Sequence, residues 1–287
     1  MSSRAWRNRT WAFWPERIDW TEQIVLITGG ADGLGRVIAE TLAMKHITVV
    51  VLDVKPFVNN DIHHFICDVS NPKNVEEVTD RIKKEIGDPT IVINNAGIVN
   101  GKLIVDLQPD DLKRSFGVNV ISHFLILKAF LPQMIKNGTG HIVTIASVLG
   151  TLGISQASDY CASKAASISL HESLRQELDS RHHCPRVRTT LVCPGRLETK
   201  MFEKLKPQNR FFLPPVAPHD LAKLIIQALD SHLSSDIYVP VYTSWMWIIR
   251  GLPSWAKDLS HWIVGSNESM INFGPVPKQD NQHDVKA

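Results

Sequence analysis

The run Ile24-Val25-Leu26-Ile27, then Thr28-Gly29-Gly30-Ala31-Asp32-Gly33-Leu34-Gly35, then a helical pattern to about Lys45, narrows the folds open to this chain more than any other stretch. It reads as a buried strand, a glycine turn and a helix. Glycines let the backbone come close to a pyrophosphate, and the N–H groups of the helix start supply positive potential to receive it. The plain alternative is a tight turn with no ligand.

Strand and helix patterns then alternate along the chain. Ile47-Thr48-Val49-Val50-Val51-Leu52 reads as a second buried strand ending in Asp53, near the spacing at which an acid holds the ribose hydroxyls of a dinucleotide. That carboxylate, with Asp32 in the turn, would repel a 2′-phosphate, which favours NAD over NADP; Lys55 is the opposing feature. A third strand, His63-His64-Phe65-Ile66-Cys67, leads to Asp68-Val69, where Asp68 either accepts from an adenine amino group or caps a turn. Asn71-Pro72 opens a helix to about Gly87, and Thr90-Ile91-Val92-Ile93 makes a fourth strand leading into Asn94-Asn95-Ala96-Gly97, small and amide residues that fit beneath a second ribose. A long apolar helix is expected from Val118 to Lys136, covered by the sheet or by a second subunit. His141–Ala146 forms strand five with Ser147 at its end, and Val187–Cys193 forms strand six, ending in Pro194-Gly195. The expectation is an α/β fold with a doubly wound parallel sheet of about seven strands and helices on both faces, whose ligands lie at the strands' carboxyl ends.

Within that frame, Tyr160-Cys161-Ala162-Ser163-Lys164 carries the chemistry. A helix sets Tyr160 and Lys164 on one face, one turn apart. A free phenol has a pKa of about 10, and a cation about 4 Å away at an effective dielectric near 20 is worth roughly 4 kcal/mol. Proximity of this kind pulls the phenol towards neutrality and suits it to general acid/base work on a carbonyl or hydroxyl. Ser147 can hold the same oxygen. Taken alone, a Tyr-x-x-x-Lys pair more often lies on a solvated face.

Composition excludes several other classes. The 287 residues are 44% hydrophobic and 21% charged, with a net charge of +2, so one large domain or two small ones fit and nucleic acid is not a favoured partner. Four cysteines lack metal-ligand or disulfide spacing and suit a reducing compartment. Neither His63-His64 nor His182-His183 is completed by acids or cysteines into a metal site. No run reaches the roughly 18 apolar residues needed to cross a bilayer.

These residues together closely resemble the short-chain dehydrogenase/reductase superfamily: Thr28-Gly29-x-x-x-Gly33-x-Gly35, Asn94-Asn95-Ala96-Gly97, Asn119, Ser147, Tyr160-x-x-x-Lys164, and Pro194-Gly195 with Thr199. Gly140–Ser147, Asp159–Lys164 and His171–Arg175 look like the branch of retinol and hydroxysteroid dehydrogenases of the endoplasmic reticulum and lipid droplets, and the resemblance covers roughly residues 21–275. It implies hydride transfer between NAD or NADP and an alcohol or carbonyl carbon. Tyr160 would move the proton, Ser147 would orient the substrate oxygen, Lys164 would lower the phenol pKa and bind the nicotinamide ribose, and Asn119 would hold a relay water. Leu34, Asp53, Asp68, Asn95, Leu197, Thr199 and Lys128 would contact the dinucleotide. A homodimer or tetramer through the Asn119–Lys136 and Tyr160–Arg181 helices is also implied. Two departures stand out: the segment between Asp53 and Asp68 is short, with Lys55-Pro56-Phe57 in place of a helix, and the apolar N-terminal anchor of several microsomal relatives is missing.

All eight tryptophans fall outside the nucleotide-binding pattern. Trp6, Trp11, Trp14 and Trp20 lie among arginines in residues 1–20; Trp245, Trp247, Trp255 and Trp262 lie in residues 237–275, an extension of the catalytic region 21–236, with 276–287 as a tail. Tryptophan beside cations suits a membrane or lipid-droplet surface facing the cytosol, while packing of the termini on each other or on a second subunit in the cytoplasm is the alternative. The loop carrying Met201, Phe202, Leu205, Phe211, Phe212 and Leu213 favours an apolar alcohol or ketone. A lipid-surface scaffold that keeps the fold with little turnover is the rival reading.

Overall fold

In the computed structural model, residues 18–203, 205, 214–265, 270–271 and 273 are described. Seven strands form one parallel sheet in the order β3-β2-β1-β4-β5-β6-β7. They are β1 (Ile24–Thr28), β2 (Thr48–Asp53), β3 (His63–Ile66), β4 (Ile91–Asn94), β5 (Gly140–Ile145), β6 (Val187–Pro194) and β7 (Ser235–Val239). In the central ladder Leu26 stands opposite Val50 on one side and Val92 on the other. Strands buried on both faces read in sequence as continuous apolar runs, which is why β1, β2 and β4 are visible there.

Helices cover both faces. On one, Leu34, Ile38 and Leu42 of α1 (Gly33–Ala43) pack with Leu221, Ile225 and Leu229 of the helix Pro218–Asp230. On the other, α2 (Pro72–Glu85) meets the longer helices that come after β4 and β5, with Ile82, Phe130 and Leu178 in one core cluster. Each such side chain, fully buried, contributes about 1.5–3 kcal/mol. Asp32 caps α1 through Gly33 N, and Asn71 caps α2 ahead of Pro72.

The helix expected from Val118 begins earlier. A continuous helical stretch runs from α3 (Pro109–Phe116) through a π-helical turn (Gly117–Ile121) into α4 (Ser122–Asn137). The charged first turns hid its start, since Asp110, Asp111, Lys113 and Arg114 interrupt the apolar pattern. These 29 residues are long and apolar enough to cross a membrane by composition, but Ile126 and Phe130 are buried in the core beside the sheet, and the helix belongs to the fold.

The remaining helices are α5 (Ser158–Ser180), α6 (Pro218–Asp230), α7 (Met246–Gly251) and α8 (Ser254–Val264). β7 crosses the boundary expected at residue 236, so the sheet continues into the segment read as an extension. Between β2 and β3 there is no helix, only turns and extended chain. Two tryptophans turn inward: Trp20 packs on the core and donates Nε1 to Asp230 at 2.6 Å, and Trp247 donates to the Tyr238 hydroxyl at 3.0 Å. Trp6, Trp11, Trp14 and the segment Phe211–Leu213 lie outside the described residues.

Candidate active site

The sheet order reverses between β1 and β4, and at the carboxyl ends of the strands there lies a cavity of about 400 Å³. One end is walled by Asp32, Asp53, Lys55, Asp68 and Val69, the middle by Gly29, Gly33, Leu34, Asn95, Ala96 and Gly97, and the far end by Ser147, Tyr160, Lys164, Pro194, Gly195, Leu197 and Thr199.

The middle exists because β1 and β4 end in residues that bind each other's backbone. Thr28 Oγ1 accepts from the N–H groups of Asn95 and Ala96 at 3.0 and 3.1 Å. Asn95 Nδ2 in turn donates to the carbonyls of Thr28 and Gly29 at 3.0 and 2.9 Å. Gly29 has φ of +67°, and a Cβ at Gly35 would stand 2.3 Å from the Gly29 carbonyl, so only glycine lets the helix start sit this close to the turn. Thr28 and Gly35 therefore shape the cradle from behind and do not line it.

Both oxygens of Asp53 accept backbone N–H groups, Oδ2 from Ala31 and Oδ1 from Lys55, each at 2.9 Å. The carboxylate is fixed facing the cavity. Asp68 caps a turn, its Oδ1 accepting from Ser70 N and Oγ at 2.9 and 2.7 Å, and the residue also lines the wall. Acidic strand ends and a glycine turn with Gly29 and Gly33 on the cavity wall fit a dinucleotide.

At the far end, the first two turns of α5 carry Tyr160 and Lys164 into the wall. Tyr160 is 5% exposed, Ser147 hydrogen-bonds to its phenol, and the Phe202 ring meets it edge-on at 6.2 Å between centroids. Ser147 Oγ is oriented by Leu149 N at 3.2 Å. Lys164 Nζ donates to the Ile145 carbonyl at 2.8 Å and lies 5.8 Å from the centre of the Tyr160 ring. Burial lowers the Lys164 pKa from 10.5 to about 8. Burial raises that of Tyr160 above its ordinary value, the Ser147 bond opposing it. This corrects the expectation of a phenol drawn towards neutrality by the adjacent ammonium: the ammonium is directed at the Ile145 carbonyl, and desolvation is the largest influence on the phenol. Tyr160 stands protonated.

Asn119 is brought beside this group but behind the wall. Its Nδ2 donates to the Ile98 carbonyl and Ser163 Oγ at 3.0 and 2.9 Å, its Oδ1 accepts from Ile98 N at 2.8 Å, and its carbonyl takes Ser167 Oγ at 2.8 Å. These bonds brace the loop after β4 against α5. The expectation for Lys128 is corrected: it is exposed on α4 and does not line the cavity, because it shares the outward helical face of Ile121 and Phe124. Sequence reasoning passed over Arg114, Val118 and Ile98, which also line the wall. Ile98 adjoins a motif already read; Arg114, in a charged helical turn, offers no such signal.

Around Tyr160 the surface is apolar. Ala157, Cys161 and Met270 form a buried cluster with it, and Val99, Ile154 and Phe273 pack against that cluster. The chain after α8 thus returns to Tyr160, with the Phe273 ring so close over Gly101 that a side chain there would collide with it.

A family profile described as short chain dehydrogenase matches residues 23–210. The chain is 40% identical over 223 residues to Short-chain dehydrogenase/reductase family 16C member 6 of Bos taurus, covering 74% of this chain and 70% of that one. It is 39% identical over 219 residues to Epidermal retinol dehydrogenase 2 of Mus musculus, covering 72% and 71%. Among solved structures, the aldohexose dehydrogenase of Thermoplasma acidophilum aligns with a TM-score of 0.67 at 26% identity, over 78% of this chain and 94% of that one. A 4-hydroxyisoleucine dehydrogenase complexed with NADH shares the fold, with a TM-score of 0.66 at 23% identity over 76% and 96%.

Proposed function

Because the chain belongs to the short-chain dehydrogenase family, whose members are CH–OH oxidoreductases using nicotinamide dinucleotides, we propose that it interconverts a lipophilic alcohol and its aldehyde or ketone, with Tyr160 as the acid/base. The observation that carries this reading is the meeting, in one cavity, of Ser147, Tyr160 and Lys164 at one end and Asp53 with the glycine turn at the other. The bound nicotinamide would supply the hydride acceptor or donor.

The chain's own residues do the rest. Ser147 orients the substrate oxygen, and the protonated Tyr160 phenol gives its proton to that oxygen in reduction or takes it back in oxidation. The Lys164 charge favours the phenolate form and so assists oxidation, while Asn119 positions α5 and the loop at Ile98. Gly29, Gly33, Leu34, Asn95, Ala96, Gly97, Pro194, Gly195, Leu197 and Thr199 would hold the dinucleotide, Asp68 and Val69 its adenine, and Asp53 its ribose hydroxyls. A carboxylate at Asp53 repels a 2′-phosphate, and the reading is NAD.

Met201 and Phe202, which line the cavity beside Tyr160, suit a retinoid, a steroid or a long-chain lipid. The name of the mouse relative, Epidermal retinol dehydrogenase 2, agrees with this class. Exposed Trp245, Trp255 and Trp262 would rest on the endoplasmic reticulum or lipid-droplet surface on its cytosolic side, and exposed Ile121 and Phe124 on α4 would meet a second copy in a homo-oligomer. Turnover of straight-chain alcohols of four, eight and twelve carbons with NAD tests the substrate class. The expected kcat/KM rises with chain length; a maximum at four carbons would overturn the lipophilic reading.

A further inference from the structure

The end of the cavity at β2 contains an ion pair whose position bears on cofactor choice. Asp53 Oδ1 accepts from Lys55 N at 2.9 Å, which bends the chain back just past the strand. This bend brings Lys55 Nζ to 2.7 Å from Asp32 Oδ2, across the mouth between the glycine turn and β2. The other oxygen of Asp32 is occupied by Gly33 N at 2.8 Å, capping α1. Both side chains reach solvent, Lys55 at 61% and Asp32 at 39% exposure. The hydrogen bond between them is the main influence on each: it holds the Asp32 carboxyl below its ordinary pKa and the Lys55 ammonium above its own. The other charges felt here are Asp53 on Lys55 and Lys200 on Asp32. The nearby Arg36 is engaged by Glu40 at 2.8 Å and lies over the Phe57 ring at 5.5 Å.

We propose that Asp32 and Lys55 form a clasp that sets cofactor specificity: while Asp32 holds Lys55, the cation that would receive a 2′-phosphate is neutralised, and the phosphate faces the surplus negative charge of Asp32 and Asp53. The clasp deepens the dinucleotide reading given above and rests on it. Asp53 alone repels a phosphate, but it leaves Lys55 within reach to offset that repulsion; Asp32 removes the offset. An ion pair this exposed is weak, so removing Asp32 releases Lys55 without undoing the fold. Ammonium–phosphate hydrogen bonds are among the stronger ones available to the freed side chain.

The test is fluorescence titration of the full-length protein with NADH and NADPH, for the wild type, Asp32→Asn, and Asp32→Asn combined with Lys55→Ala. Asparagine keeps the cap on α1, so the first variant retains its helix start. The wild type is expected to bind NADH more tightly. Asp32→Asn is expected to raise NADPH affinity relative to NADH about tenfold, the size of one charge-assisted hydrogen bond. The double variant should lose that gain, which assigns it to Lys55. An unchanged ratio in Asp32→Asn, or a gain that survives Lys55→Ala, overturns the clasp and leaves the dinucleotide reading intact. A wild type that binds neither nucleotide overturns that reading, and the clasp with it.

Discussion

In α1 the large apolar side chains Leu34, Ile38 and Leu42 recur at helical spacing and are 4%, 0% and 0% exposed, whereas in α8 Trp255, Leu259 and Trp262 recur at the same kind of spacing and are 71%, 47% and 79% exposed. Lys257 and His261 of α8 are half-buried in turn. The two stripes differ in what they were shaped against. The α1 stripe meets the sheet and α6, and its burial fixes the helix whose start forms the dinucleotide cradle. The α8 stripe is left largely exposed, and an outward apolar surface of this kind is characteristic of an interaction site. One helix secures the chemistry, the other looks outward, and the chain after α8 returns to Tyr160 through Met270 and Phe273.

The contrast can be broken by mutation. Ile38→Ala in α1 is expected to cost about 2–5 kcal/mol of stability by opening a cavity in a closed core, measured by urea unfolding. A cost below about 0.5 kcal/mol, the range of surface substitutions, would mean that α1 is not anchored as described. Trp255→Ser with Trp262→Ser in α8 is the matching experiment, and comes last because its effect on stability is the smallest.

Between these stands Lys164, buried at the expense of stability. Its fall from 10.5 to about 8 corresponds to a cost of about 3 kcal/mol at neutral pH, and the bond to Ile145 recovers part of that. Lys164→Met should therefore abolish turnover yet stabilise the fold by roughly 1–2 kcal/mol at pH 7. The sign comes from linkage. Below about pH 8 folded and unfolded chains both hold the proton, and the full cost is present; as pH rises from 8 towards 10.5 the folded chain releases its proton first, and the cost declines. The stabilisation by Lys164→Met should shrink over that window, as measured by unfolding at about pH 7 and about pH 9.5. An equal advantage at both would contradict the burial argument. The raised pKa of Tyr160 predicts a second pH effect: oxidation of an alcohol, which needs the scarce phenolate, should speed up with rising pH, while reduction, which uses the protonated phenol, should hold its rate, checked by initial rates in both directions.

The α8 pair should change stability by less than about 0.5 kcal/mol, since exposed side chains contribute little to the fold. Its effect should appear in flotation with liposomes instead, as loss of the bound fraction. A double variant that floats as well as the wild type would sink the lipid-surface reading of α8.

How far the sequence could be read tracks the same division. The glycine turn, Asp53, Ser147, Tyr160 and Lys164 were legible because strands buried on both faces are continuous apolar runs and the motifs fall at their ends. The sequence leaves the face of α8 open between a lipid surface and packing of the termini, because helical spacing defines a stripe without saying which way it faces. The expectation for Lys128 rests on the family resemblance alone, and its helical face points to solvent. The protonated state of Tyr160 was also hidden, since desolvation depends on Phe202, Met270 and other residues distant in sequence. The start of the helix at Pro109 was masked by charges whose role is to cap it, with Asp111 accepting from Gln108 N at 2.9 Å.

The most direct test of the central claim is the rate of NADH formation from NAD and all-trans-retinol in detergent, by the wild type and by Tyr160→Phe, with NADH binding measured alongside. The phenylalanine keeps the ring and its contact with Phe202 but removes the proton. The expected result is a fall in kcat of at least about a hundredfold, the lower end of what a general acid/base contributes, with NADH affinity unchanged within about twofold. A variant that turns over at the wild-type rate would contradict the assignment of Tyr160 as the acid/base.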